Sequence, residues 1–279
     1  MVGLEKQRRM VACALACLTS VLLAPSTGAQ IMSNPGQWYI NNQIYSTRVF
    51  NGVVANSMFR GSSAGKARPS SVKPSGPAAP EPTQFRESAT TTIPALLSGK
   101  SAGLAGTSDD ARRLFTSYID LYKTTARTDR FPANDLAYAM EYYVVNNWQI
   151  YHDLVSVPLE NDPRALRAKD GFDRIAVMAE KKTLQVSPYQ ERAVYEQFRA
   201  KLGASADVRA MTDAQKQEAT ELLATLFGVN FAVYMQGVNA RNDRVAQQGR
   251  DMARQGLEKL LGVPINKMRI TNNGLELDK

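Results

Sequence analysis

Six helix-start signals fall between residues 107 and 262, and they constrain the fold of this 279-residue chain more than any other feature. Ser187-Pro188-Tyr189-Gln190 and Thr212-Asp213-Ala214-Gln215 are capping boxes, in which the hydroxyl and the Gln three residues on satisfy each other's free backbone N–H groups. Asn134-Asp135 and Asn242-Asp243 supply capping side chains, and Asp162-Pro163 pairs a cap with a proline at the first helical position. Thr107 is followed by Asp109 and Asp110, acids that complement the positive end of a helix dipole. Behind these starts the apolar residues recur at helical spacing: Leu114, Tyr118, Leu121 and Thr125, then Tyr195, Phe198 and Leu202. The last helix stops at Gly262, with Pro264 beyond it. The pattern predicts an all-α domain over 107–265, a bundle of about five to six helices.

One segment, Leu222–Val238, is apolar on nearly every side. Asn230, Gln236 and the glycines at 228 and 237 interrupt it, which favours the central helix of a bundle over a membrane span. Gly249 and Gly256, seven residues apart, share a face that allows close helix approach. The tail 266–279 alternates around Asn272-Asn273-Gly274, the pattern of a short β-hairpin.

Upstream of Thr107 the composition changes. Residues 30–60 are rich in Asn, Gln and Ser with scattered aromatics, and 61–84 hold Pro69, Pro74, Pro77, Pro80 and Pro82 among Gly, Ser and Ala. Such a stretch buries too little apolar surface to offset its ordering entropy, so 30–106 is expected to be a low-complexity, disordered tail and linker. Residues 85–106 read as loop, with Ile93, Leu96 and Leu97 available to dock on the domain that follows. Residues 1–29 have the form of a cleavable signal peptide: Lys6-Gln7-Arg8-Arg9, an uncharged run Met10 to Ala24, and small residues Thr27 and Ala29 before a cut at Gln30. The mature protein is expected to be exported, periplasmic or extracellular, with no transmembrane helix. Both cysteines, Cys13 and Cys17, lie in the leader. A lipid-bearing Cys17 should end the apolar run, yet the run continues to Leu23. Without the leader the chain has no thiol for disulfides, catalysis or metal binding.

Charge narrows the surroundings. The whole chain carries +8, and losing the leader with Lys6, Arg8, Arg9 and Glu5 leaves +6. That balance suits anionic envelope polymers or lipid head groups. The cations are interspersed with acids, and no nucleic-acid motif is present, so nucleic acid is not expected as a partner.

Chemistry has few places to reside. His152 is the one histidine, so any triad or histidine metal site must use it. On the second helix Glu141, Val145, Trp148 and His152 lie within about 60° of one another, but Glu141 and His152 stand about 16 Å apart along the axis and cannot share a proton. Stacking of His152 on Trp148 is the simpler reading. Asn147 interrupts the apolar stripe Leu136, Met140, Tyr143, Ile150 and must find buried partners, either a ligand in a pocket shared with Tyr143 or a neighbouring helix. Tyr118, Tyr122, Tyr138, Tyr142, Tyr143 and Tyr151 crowd the first two helices, as a ligand groove or as a hairpin core. Asn134-Asp135 lacks the further oxygens of a calcium loop. Glu87-Ser88 has the wording of a transglycosylase glutamate in a loop rather than on a helix. No cofactor or metal motif occurs, and none is expected. These observations favour a non-enzymatic envelope protein that binds an unknown protein or polymer. The alternative is a small cell-wall hydrolase using Glu141 with Tyr142 or His152. The candidate binding residues are Tyr143, Asn147, Trp148, His152 and Glu141.

Three stretches carry a resemblance. Asn134-Asp135-Leu136-Ala137 leads to Asn147-Trp148-Gln149-Ile150-Tyr151; Met211 through Glu218 opens the apolar helix; and Leu260-Leu261-Gly262-Val263-Pro264 precedes Met268-Arg269-Ile270 and Gly274-Leu275. Together they resemble a family of uncharacterised exported bacterial proteins, a domain of unknown function, over about 107–275. The resemblance implies an all-helical exported domain and no activity; residues 160–186 depart from the pattern.

Overall fold

A computed structural model describes residues 81–101, 108–155 and 163–278. The leader, the tail up to residue 80, Thr107 and Asp162 lie outside the described residues. The elements are α1 (Ile93–Ser101), α2 (Ser108–Asp129), α3 (Leu136–Tyr151), α4 (Pro163–Leu166), α5 (Gly171–Leu184), α6 (Pro188–Ala204), α7 (Ala206–Ala210), α8 (Asp213–Asn239) and α9 (Asp243–Leu261). A 3-10 turn (Ile265–Lys267) then leads into strands β1 (Met268–Thr271) and β2 (Gly274–Leu277).

The local signals decide where helices begin. Ser187 and Thr212 close reciprocal capping boxes with Gln190 and Gln215. Asp135 and Asn242 cap α3 and α9, and Gly262 ends α9 in the left-handed region at φ 72°. The strands pair antiparallel with Met268 opposite Leu277, the two-residue Asn272-Asn273 turn closing them. Gln197 of α6 holds this hairpin down, accepting from the Leu275 N–H (2.8 Å) and donating to the Leu275 carbonyl (2.9 Å).

Two helices form the centre. α8 packs against α9, α3, α2 and α1, and α3 packs against α8, α6 and α9. α8 is long and apolar enough to cross a membrane, but 89 % of its most apolar window is buried inside the molecule, as a core helix requires. α3 is buried on every face: each residue from Leu136 to Ile150 is enclosed, including Glu141, Asn146, Asn147 and Gln149. α8 and α9 cross where side chains are absent. A Cβ on Gly237 would lie 2.1 Å from the Ala246 backbone nitrogen, and one on Gly249 would lie 2.6 Å from the Tyr234 Cα.

Four expectations need correction. The buried residues of α2 are Ala111, Phe115, Ile119, Tyr122, Thr125 and Ala126, so of the expected face Thr125 is buried while Leu114, Tyr118 and Leu121 are half-buried at its edge. Tyr118 instead sits over Gly228 of α8. Residues 93–101 form a helix where loop was expected, and Ile93 and Leu97 dock deeply in the core. Residues 83–85, assigned to the linker and loop, pair with the start of α3. There Leu136 N–H donates to Thr83 O (3.0 Å) and Phe85 N–H to Asn134 O (3.1 Å). The helix expected from Asp162-Pro163 is two, because Asp170 accepts from the Asp173 N–H and restarts the chain as α5.

Candidate functional site

α3 ends at Tyr151, because Asp153 adopts φ 57° and turns the chain away from the axis. That turn aims the Asp153 carboxylate at three other helices. Tyr234 of α8 donates its hydroxyl to Oδ1, and Arg250 of α9 lies 3.5 Å from the same oxygen. Lys181 of α5 reaches Oδ2 at 3.3 Å and the Asp153 carbonyl at 3.1 Å. The Lys181 side chain is almost wholly out of water. A buried ammonium is tolerable where a carboxylate and a carbonyl receive its protons. This cluster escapes sequence inspection, because its members stand up to 97 residues apart and no spacing links them.

His152 lies beside the cluster. Its ring tilts over Trp148 with centroids 4.1 Å apart and meets Tyr151 edge-on at 4.8 Å, the stacking expected from the one-turn spacing. Burial pushes its pKa down to about 4, Glu180 opposing and Lys181 reinforcing the shift. The buried Nε2 finds no hydrogen-bond partner among the described residues. A histidine this weakly basic is neutral at pH 7 and a poor base there. Trp148 donates its indole N–H to the Leu184 carbonyl (3.4 Å), so Trp148 and Lys181 both fasten α5 to the end of α3.

The other candidates lie deeper. Asn147 is fully buried; it accepts from Asn230 Nδ2 of α8 (2.7 Å) and donates to the Tyr143 carbonyl one turn back (2.7 Å). The amide thus bridges the two central helices. Glu141 is buried eleven residues before His152, beside tyrosines, and the two do not meet. Burial, reinforced by Glu141, holds the Tyr138 hydroxyl well above its ordinary pKa. The tyrosines form a packed interior rather than a groove: Tyr122 stacks on Tyr138 (5.3 Å), Tyr138 on Phe131 (4.7 Å), and Tyr142 meets Phe227 edge-on (4.9 Å). Asp135 accepts from the Tyr195 hydroxyl (3.0 Å) as well as capping α3. Glu87 is paired with Lys123 at the surface. Among the described residues no three His, Cys, Asp or Glu side chains gather as a metal ion would need.

The surface has one feature that inverts the usual rule. A surface helix turns its apolar stripe inward. In α5 the buried residue is Lys181, while Phe172, Ile175, Ala176 and Ala179, which share the opposite face at 100° per residue, are all exposed. Phe172 is 86 % exposed and Ile175 64 %, and Leu166 of α4 adds a third bare side chain at 58 %. The Arg164–Glu180 pair (2.8 Å) ties α4 to α5 as one arm. Periodicity locates this apolar face in the sequence, but it does not reveal that the face points outward.

A family model described as a family of unknown function, DUF6683, matches residues 6–192 and 183–278. Neither a curated protein nor a solved structure matches the chain.

Proposed function

The chain belongs to the DUF6683 family, whose function is unknown, and we propose that it is an exported, non-enzymatic binding protein whose contact element is the α4–α5 arm. The observation that carries this reading is the inverted face of α5, with Phe172 and Ile175 in water and Lys181 inside. Fully covering an exposed Phe, Leu or Ile gains about 2 kcal/mol each, so Leu166, Phe172 and Ile175 together favour association substantially. Export is supported by the basic start, apolar run and small residues of positions 1–29. The hydrolase alternative gains nothing from Glu141, enclosed among tyrosines, or from His152, neutral and distant from it.

The test is hydrogen exchange on the full chain with and without isolated cell envelope. Protection over residues 163–184, with 201–210 unchanged and the effect abolished by Phe172→Asp with Ile175→Asp, is the expected result. Exchange that is unaltered at 163–184 refutes the assignment of the arm.

A further inference from the structure

Resting on the arm as contact element, we infer that its occupant is the surface of an anionic lipid bilayer. The apolar side chains gather at one end of the arm. Leu166 and Phe172 flank the turn between α4 and α5, and Ile175 follows one turn later. Lys181, the anchor to the body, stands nine residues beyond Phe172, about 14 Å along the helix. The arm therefore has an apolar tip and a polar base pinned to Asp153.

The tip is also basic. Residues 163–176 hold four cations, Arg164, Arg167, Lys169 and Arg174, and two acids, Asp170 and Asp173. Arg164 is paired with Glu180 further along α5, and Asp170 caps α5, so the tip keeps a small positive balance. Arg167 and Lys169 are exposed in the turn itself, between Leu166 and Phe172. A bare Phe, Leu and Ile interleaved with exposed cations matches the head-group boundary of an anionic bilayer. There the apolar groups enter the acyl region and the cations meet phosphate. The same charges weigh against a second copy, since pairing two tips would bring Arg167 and Lys169 against their equivalents. The positive balance of the chain without its leader, +6, points the same way.

Hydrogen exchange on the full chain with protein-free vesicles tests this. Vesicles of phosphatidylcholine mixed with phosphatidylglycerol are compared with phosphatidylcholine alone. Residues 10–24 can adsorb to vesicles by themselves, and a readout confined to 163–176 does not register that adsorption. Exchange at 163–176 is expected to slow about tenfold with anionic vesicles only, with the effect weakening as salt is raised. Phe172→Asp with Ile175→Asp and, separately, Arg167→Glu with Lys169→Glu should each remove it. All four positions are exposed, and an unchanged melting midpoint verifies that the variants are folded. Equal protection by neutral vesicles overturns the electrostatic assignment. Protection by isolated envelope but by neither vesicle overturns the lipid and leaves the arm as a binder of another envelope component. Protection by none of them overturns both readings.

Discussion

Water is almost wholly excluded from the Lys181 side chain, so its charge has to be met inside the protein, and Asp153 meets it with both a carboxylate oxygen and a carbonyl. Asp153→Asn removes the carboxylate from that charge without disturbing the backbone, because Asn tolerates φ near 57° as well as Asp does. The variant should lose about 3 kcal/mol in urea denaturation, and adding Lys181→Met should restore most of it. A loss under about 1 kcal/mol would mean that Lys181 is satisfied elsewhere. His152 gives a second residue-scale outcome, with a defined sign. Its folded pKa of about 4 lies below the ordinary 6.5, so as pH falls the unfolded chain takes up the proton first. No cost arises above pH 6.5; stability then declines until the folded form also protonates near pH 4. Between pH 6.5 and 5 wild type should lose about 2 kcal/mol more than His152→Phe. Carboxylates titrate alike in both proteins, so the difference isolates the histidine. Parallel pH profiles would show that the ring is solvated. The His152–Trp148 stack was legible from their spacing, whereas the Asp153 cluster depends on a left-handed residue and three distant helices, which no local pattern encodes.

Most helix starts that were legible have a local cap, although Asp170 and Ser205, which cap α5 and α7, were not read as such, and α1 shows a start that no local residue announces. Its first N–H groups, those of Thr92 and Ile93, donate to Glu221 Oε2 at 2.8 and 3.0 Å, a carboxylate 128 residues away from Ile93 and buried in α8. Gln217, one turn earlier on α8, accepts from Ser88 N–H (2.7 Å) and donates to Thr90 O (3.2 Å) and Glu221 Oε1 (2.8 Å). The cap of α1 is therefore tertiary, and no residue near position 92 announces it. Glu221→Ala should leave the buried Ile93 N–H and the more exposed Thr92 N–H without their acceptor and cost about 2 kcal/mol, with exchange accelerated over 88–98 before the rest of the molecule. Uniform acceleration across all helices would instead mean that α1 and the core unfold as one unit. α5 failed in the opposite sense. Its periodicity was present in the sequence, yet the inward side is set by Lys181 and Leu184 meeting Asp153 and Trp148, contacts that hydropathy cannot rank.

At the scale of the molecule, the all-α class and the terminal hairpin followed from caps and turns, but the extent of the packed unit did not. A segment rich in Pro, Ser and Thr carries no helical period, so residues 81–98 were indistinguishable from linker. In the fold they lie across the ends of α3 and α8, with Phe85, Ile93 and Leu97 each 5 % exposed or less. Burying three such side chains contributes about 6 kcal/mol, comparable with the net stability of an ordinary domain. Removing them also uncovers Glu221 and Gln217, a buried acid and amide left without their backbone donors. A chain beginning at Glu81 should therefore unfold cooperatively with the melting midpoint of the longer protein, while one beginning at Thr107 should melt broadly or fail to fold. Near-UV circular dichroism and calorimetry on the two truncations decide it. If the Thr107 chain keeps a sharp transition within a few degrees of the Glu81 chain, the contacts of residues 81–98 add little and the helices from α2 onward hold together alone. If the Glu81 chain itself melts well below the longer protein, residues before Glu81 contribute to the core.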